Sequence, residues 1–576
     1  MSSSDFEKIC IQDDVLNTTD KIRYAVFKGA QNITPAQYDA ISATTSSATF
    51  NIQLPSESTV FSRRIMIEAQ MTIRVVGTLK AGLAGANNYL INYGYSSALG
   101  PFPFQSLCNT VQATINNNTV SQNTRDVMYQ LLRFNDRREL ARFNNTAPTM
   151  YDSYLNYADA LGANNNPLGA WNNTSNDQDF QGRGSFKIDS ISGNTAGSAG
   201  DEKTVDITFT VREPLMLSPF IWCDPKSNNQ GMYGVQTLNF VFNFGAANKI
   251  IRFAKGQNFN NDTATVSFQG FGSLPSLNGK PRLLMEFYTR QPSNLVSARN
   301  CLPFAEYPRY YSNVPSLTQG NHTVNLQSIQ LNSVPDKLII AVRKRLGSQD
   351  NFDTDSFLPI TGVNISFNNA AGLLSSATSF DLWKYSVECG SNQTWVEWSG
   401  EANVGTQTPY TTDPAGAGIH TIKTCGSVLC LEMGKHVELS DTYAPGSIGS
   451  FQLMIKLTVN NNTGANIASD VYEIVLITMN SGVFTIERGT SQTYTAILSR
   501  ADVLAVSSSP AMSKSSLARL VGGSWEDSIK SLCSAVAPLA GKAEQLKDFI
   551  VGKGSSGGGY SGGGSSGGKM SKHLAM

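Results

Sequence analysis

Residues 64–76 read Arg64-Ile-Met-Ile-Glu-Ala-Gln-Met-Thr-Ile-Arg-Val-Val76. Ile65, Ile67, Ala69, Met71, Ile73 and Val75 fall on one side of an extended chain, and Met66, Glu68, Gln70, Thr72 and Arg74 on the other. A period of two predicts a strand with one dry and one wetter face. The same alternation returns at Val205-Ile207-Phe209-Val211, at Leu238-Phe240-Phe242-Phe244 and at Phe451-Leu453-Ile455-Leu457-Val459. Asn-rich turns separate such runs, at Asn116-Asn117-Asn118, Asn368-Asn369 and Asn460-Asn461-Asn462, where Asn tolerates a positive φ. Many short strands with long polar connections predict β-sandwiches. The clearest internal helix signal runs from Arg125 to Phe143, with Val127, Met128, Leu131, Leu132 and Leu140 on one side; it is expected over a sheet edge or end.

Two halves repeat one order of features. Phe102-Pro-Phe104 leads into Val111-Ala113-Ile115, closed by Asn116-Asn117 and followed by a helix-like stretch; Leu358-Pro-Ile360 leads into Val363-Ile365-Phe367, closed by Asn368-Asn369 and followed by another, Ala370 to Trp383. Gly234-Val-Gln-Thr before the Leu238 strand parallels Gly449-Ser-Phe-Gln before the Leu453 strand. The reading is an all-β chain of two similar sandwiches, with a boundary in the Gly270–Pro281 cluster. The domains are an N-terminal arm at 1–44, a first roll at 45–275, a second at 276–510 and a C-terminal tail at 511–576. In the tail, Glu526 to Ile550 is amphipathic at helical spacing and interrupted by Pro538, and residues 552–568 are mostly Gly and Ser.

The chain has 576 residues with 44 basic and 44 acidic side chains, so its net charge is zero, and 15% of residues are charged. That is well below the roughly 25% of ordinary soluble domains and too low for a long coiled coil; periodic Gly of the collagen kind is missing. A neutral chain lacks the basic surplus that drives phosphate counterion release, so no sequence-specific nucleic-acid binding is expected. No apolar run reaches the roughly 18–20 residues of a membrane span. The opening Met1-Ser-Ser-Ser-Asp-Phe-Glu-Lys8 has no apolar core, so synthesis in the cytosol is expected. The eight Cys are scattered, mostly in apolar runs, and are expected as buried reduced thiols.

No chemistry of catalysis assembles. The four His (322, 420, 436, 573) have no metal-binding spacing, and there is no Cys-x-x-Cys. Cys425 and Cys430 read as core thiols. Gly563-Gly-Ser-Ser-Gly567 matches a nucleophile elbow by letters only, because no strand precedes it and no helix follows. Trp395 and Trp398 read as cover for a sheet edge before a sugar platform. Neither enzyme, cofactor nor metal is expected.

Order of motifs then brings a family into view. Ser333-Val-Pro-Asp-Lys-Leu-Ile-Ile-Ala-Val-Arg343, Val363-Asn-Ile-Ser-Phe-Asn-Asn369, Leu382-Trp-Lys-Tyr-Ser386, Gly390-Ser-Asn-Gln-Thr-Trp395, Gly426-Ser-Val-Leu429, Gly434-Lys-His-Val437 and Ala444-Pro-Gly446 follow one another in the second half. In the first half stand Pro55-Ser-Glu-Ser-Thr-Val-Phe-Ser-Arg-Arg64 and Arg212-Glu-Pro-Leu-Met-Leu-Ser-Pro-Phe220. Over residues 45–505 the chain resembles the double jelly-roll major capsid proteins of the polinton-like virus, virophage and giant DNA virus lineage. His436 stands where an acidic residue is expected in relatives.

The resemblance implies two tandem eight-stranded jelly rolls with a short helical, Gly-rich C-terminal tail. It also implies a homotrimeric, pseudo-hexameric capsomer that tiles an icosahedral shell around double-stranded DNA, assembled in the host cytoplasm or a viral factory. Neighbouring capsomers, penton proteins and minor capsid proteins are its implied partners; an internal membrane is left open. Proteases of this lineage resemble adenovirus-type maturation proteases, which cut after (Met/Ile/Leu)-x-Gly-Gly or in (Met/Ile/Leu)-x-Gly-x-Gly. Leu520-Val-Gly-Gly523 before Ser524, and Ile550-Val-Gly-Lys553 before Gly554, give two junctions of this kind, Gly523/Ser524 and Lys553/Gly554. Against this stand a carbohydrate-binding or adhesive β-sandwich of a viral fibre or tail, and a small RNA virus capsid protein, which usually has one roll and a basic arm.

Overall fold

A computed structural model describes residues 10–12, 33–56, 59–79, 89–91, 93, 97–136, 149, 151–155, 188–220, 231–253, 261–273, 278–288, 299–368, 370–405, 419–462, 471–507 and 511–513. The tail features expected at 514–576, including both proposed junctions and the amphipathic segment, lie outside the described residues.

The strand read from residues 64–76 is Met66–Leu79, and it stands at the centre of the first roll. Its partner Glu202–Pro214 runs antiparallel in unbroken register from Met66↔Pro214 to Thr78↔Glu202. On its other side lie Asn261–Phe271 and Arg282–Tyr288. The facing sheet has the order Ser42–Ala43, Ser47–Gln53, Thr237–Phe244, Cys108–Ile115, Asn118–Gln122. Alternate side chains of both sheets meet in one core: Ile67, Met71 and Phe209 from one, Phe50, Val111 and Phe240 from the other. Each large apolar side chain so buried contributes about 1.5–3 kcal/mol.

The second roll repeats this plan. Gly320–Ser333, Ile448–Asn461, Ile360–Phe367 and Ala370–Leu373 form one sheet in that order. Facing it, Lys337–Lys344 lies between Leu429–Glu432 and Tyr472–Glu487. The duplication extends to a hydrogen bond. Asn116 and Asn368 are both left-handed, at φ 53° and 50°. Asn116 Oδ1 accepts the Gln236 N–H at 2.8 Å, and Asn368 Oδ1 accepts the Gln452 N–H at 2.8 Å. In both rolls an Asn thus turns one strand and closes the start of its neighbour.

Three placements differ from the sequence reading. Arg282–Tyr288, expected beyond the boundary, pairs with Ile33–Asp39 and with Met66–Leu79. Gly270–Pro281 is therefore a connection within the first roll's hydrogen bonding, which also takes in a strand from the expected N-terminal arm. Of the helix expected over 125–143, the described part is Thr124–Leu131, continued by a 3₁₀ turn to Phe134; residues 137–143 lie outside the described residues. It covers the face of a sheet of the other roll, described next, in place of an edge. No helix among the described residues is long and apolar enough to cross a membrane.

Candidate assembly interface

The segment Ser333–Arg343 shows how one motif builds a junction. Pro335-Asp336 ends a turn, and the carboxylate of the half-buried Asp336 accepts the Ser481 N–H at 2.6 Å, while its backbone N–H donates to the Met479 carbonyl at 2.8 Å. Burial holds the Asp336 carboxyl above its ordinary pKa. Lys337 donates to the carbonyl of Cys389, the helix end, at 3.1 Å. The strand that follows is buried along nearly its whole length. Leu338, Ile340 and Val342 enter the second roll's core, whereas Ile339 and Ala341 point out of it.

Those outward side chains meet the other half of the chain. Ile339, Ala341, Val475, Ile477 and Cys430 pack with Phe102, Val127, Met128 and Leu131 of the first roll in a third core. The helix Thr124–Leu131 thus lies on the second roll's sheet. Its Asp126 takes Arg343 at 3.1 Å and Arg309 at 2.5 Å, and Arg343 also binds Glu473 at 2.8 Å. Beside it the fully buried Asp355 of the second half receives Arg252 at 2.6 Å and Lys249 at 3.2 Å from the first. Burial, and after it the neighbouring Arg252, pull the Lys249 ammonium down to about 8 against the opposing charge of Asp355. Arg133 donates to the Asp355 carbonyl at 2.6 Å and lies over the rings of Tyr151 and Phe357 at 4.6 and 4.9 Å. Removing one member of such a buried set would leave an uncompensated charge, which costs more than the intact pairs contribute.

A second tie comes from Tyr472–Glu487. Its first half pairs within the second roll; its second half carries Phe484 and Ile486 into the first roll's core. After the turn, the Ser491 N–H donates to Asn117 Oδ1 at 2.8 Å. The duplicated Asn turn of the first roll is thereby held by the end of the second.

Elsewhere on the second roll, helices Ser379–Glu388 and Trp395–Ser399 begin with complete capping boxes, Thr378 with Asp381 and Thr394 with Glu397. Trp398 is fully buried and donates to Ser379 Oγ at 3.4 Å, whereas Trp395 is partly exposed, so the two Trp do not form one platform. Cys389, Glu432 and His436 come together with their ligand-type atoms within 4.8 Å of one another, a grouping that His spacing did not indicate. Both ring nitrogens of His436 are engaged: Nδ1 accepts the Glu432 N–H at 3.1 Å, and Nε2 lies 3.3 Å from Glu388. Lys435 adds a positive charge 3.0 Å from Glu388. The arrangement is a hydrogen-bonded, ion-paired cluster that ties the helix end to the turn at 433–437. Cys108, Cys389, Cys425 and Cys430 are buried and unbridged, as expected of core thiols, whereas the unbridged Cys301 is only half-buried.

The Sputnik virophage major capsid protein first-domain model matches residues 4–288, and the major capsid protein V20 C-terminal-domain model matches residues 304–482. The chain belongs to the double jelly-roll major capsid proteins. It is 28% identical to the putative capsid protein V20 of Sputnik virophage over 552 residues, 94% of this chain and 88% of that one. A chain of the Sputnik virophage cryo-EM structure aligns with a TM-score of 0.72 at 25% identity, covering 89% of this chain and 98% of that one. The mavirus major capsid protein aligns at 0.66 and 16% identity over 88% and 99% of the two chains, a likeness of fold. The protein is thus a virophage-type major capsid protein, a component of the virion shell.

Within this capsid protein, the motifs that carried the resemblance do mechanical work. Arg63, from the segment before the first long strand, donates to the Pro219 carbonyl at 2.8 Å and ties it to the segment after Arg212. Gly426 adopts φ 78°, and a Cβ there would lie 1.8 Å from the Phe357 carbonyl oxygen. Asp126, Asp355, Lys249 and Arg252 were not singled out from sequence; their partners are about a hundred or more residues away, and no local spacing marks them.

Proposed function

We infer that three copies of this chain form a pseudo-hexagonal capsomer that tiles an icosahedral shell around double-stranded DNA. The observation that carries the reading is the duplicated roll whose helix docks on the sheet of the roll beside it, a contact that can be repeated around a ring. Low charge limits repulsion between closely packed copies. Neighbouring capsomers, penton proteins and minor capsid proteins are the partners of such a unit. The rolls themselves are read as extending to Tyr288 and from Asn300 onward, since strands on either side of this gap pair with different sheets. Native mass spectrometry of the purified 62.2-kDa chain tests the reading: a species of three copies supports it, and a monomer at all concentrations refutes it.

The tail is read as a maturation substrate, cut between Gly523 and Ser524 and between Lys553 and Gly554. Small Gly residues let an extended chain enter a narrow protease groove beside a pocket for Leu520 or Ile550. Intact-mass measurement of capsid protein from purified virions is expected to give chains ending at Gly523 or Lys553; the full-length mass would end this part of the reading.

A further inference from the structure

Both rolls place a helix at the same point of their topology, after the short strand that follows the left-handed Asn: Thr124–Leu131 and Ser379–Glu388. In the first helix every residue but Asp126 is buried, because the second roll's sheet lies over it. In the second helix only Leu382 and Ser386 are buried. Its open side joins the neighbouring Trp395–Ser399 helix in an apolar patch. Phe380 is 53% exposed, Val396 44%, Val387 41% and Trp395 36%. The rings of Phe380, Trp383 and Trp395 contact one another at 5.2–5.9 Å between centroids. Scattered surface apolar residues need no account, but a contiguous, preformed cluster of large rings marks an interface.

We propose that this patch seats a second copy of the chain. The outer face of the neighbour's first-roll sheet covers Ser379–Glu388, as the second roll's sheet covers Thr124–Leu131 inside each chain. The inference rests on the threefold capsomer and names its contact. Among the described residues of one chain, one helix–sheet pair is closed and one pair is open: the helix of the second roll and the sheet of the first. Such complementary, non-identical ends join copies head to tail, and a threefold rotation closes every pair. The patch is continuous with the interface already built, since Cys389, which ends the helix, sits in the third core.

Chemistry on the two surfaces matches as well. The outer face of the first-roll sheet carries Arg74 and Arg212, whose side chains are 43% and 50% exposed. Guanidinium planes stack on Trp and Phe faces. The closed seam already uses this pairing, with Arg133 over Tyr151 and Phe357.

The test uses the full chain. A benzophenone amino acid at Val396 is photolysed in a mixture of ¹⁴N- and ¹⁵N-labelled protein. Cross-links between copies are expected, mapping to residues 66–79 or 202–214. In parallel, Phe380→Asp combined with Trp395→Asp is compared with Met454→Asp, which alters an exposed residue of another sheet, by light scattering and circular dichroism. The double variant should keep its fold and need at least about ten times more protein to trimerise, whereas Met454→Asp should match the parent. Cross-links only to the chain's own residues 514–576, or a double variant as trimeric as the parent, would overturn this contact and leave the capsomer standing. A parent that never trimerises would overturn both.

Discussion

Strands Met66–Leu79 and Lys337–Lys344 hold the same place in two copies of one topology, and they differ on the side that faces away from the core. Glu68, Thr72 and Arg74 in the first are half-buried and bonded to neighbours on their own sheet: Arg212 to Glu68, Thr208 to Thr72, Asp206 to Arg74. Ile339 and Ala341 in the second are buried against a helix of the other roll. The fold does not require either pattern. What decides it is permanent cover, because a face shut in by the same chain gains from apolar side chains, while one that meets water before assembly needs polar ones.

The largest expected effect comes from breaking the covered face. Ile339→Asp should cost roughly 3–5 kcal/mol or prevent folding, because it buries an unpaired charge in the third core. Thr72→Asp, on the outward face of the first roll, should leave the melting temperature of the unassembled chain nearly unchanged. Equal losses in thermal unfolding would erase the distinction between the two faces.

Next in size is the charge cluster across the seam. Asp355→Ala strands Lys249 and Arg252 in the interior and should lower stability by about 3–5 kcal/mol in urea unfolding. Asp126→Ala leaves Arg343 with Glu473 and with the carbonyl of residue 126 but takes the carboxylate away from Arg343 and Arg309, and should cost about 1–3 kcal/mol. Removal of Asp206, whose Arg74 partner lies on the surface, should produce no measurable change.

The smallest test follows one buried carboxylate of the first roll with pH. Glu213 of the first roll accepts the Phe104 and Gln105 N–H groups at 2.9 and 3.0 Å, and burial raises its carboxyl to about 8 despite both bonds. The folded state holds this proton where the unfolded chain has released it. Stability from this group is therefore full below about pH 4.5 and is lost as pH rises toward 8. In melting curves from pH 5 to 8, Glu213→Gln should flatten that decline. An unchanged slope would assign the dependence elsewhere.

How much of this was legible follows from the same contrast. One-sided strands announce themselves by alternation, as residues 64–76 and 451–459 do, and the Asn116 and Asn368 turns betrayed the duplication. Lys337–Lys344 has no alternation to read, because both its faces are buried; it was found through the order of motifs around Pro335-Asp336. Gly270–Pro281 looked like a linker since Gly and Pro mark turns inside a domain as readily as between domains. The seam was invisible, because Asp126 and Arg343 are 217 residues apart and only the docking of two folded rolls brings them together. The patch of Phe380, Trp383 and Trp395 was noticed only in part, through Trp395, since a ring cluster depends on two helices meeting.

The central claim is that two side-by-side copies of one roll supply the open and closed halves of a single ring contact. Electron microscopy of the purified, unassembled protein tests it most directly. Class averages should show six lobes in a near-hexagonal outline with threefold symmetry. Isolated two-lobed particles at every concentration, or rings of another order, would contradict it.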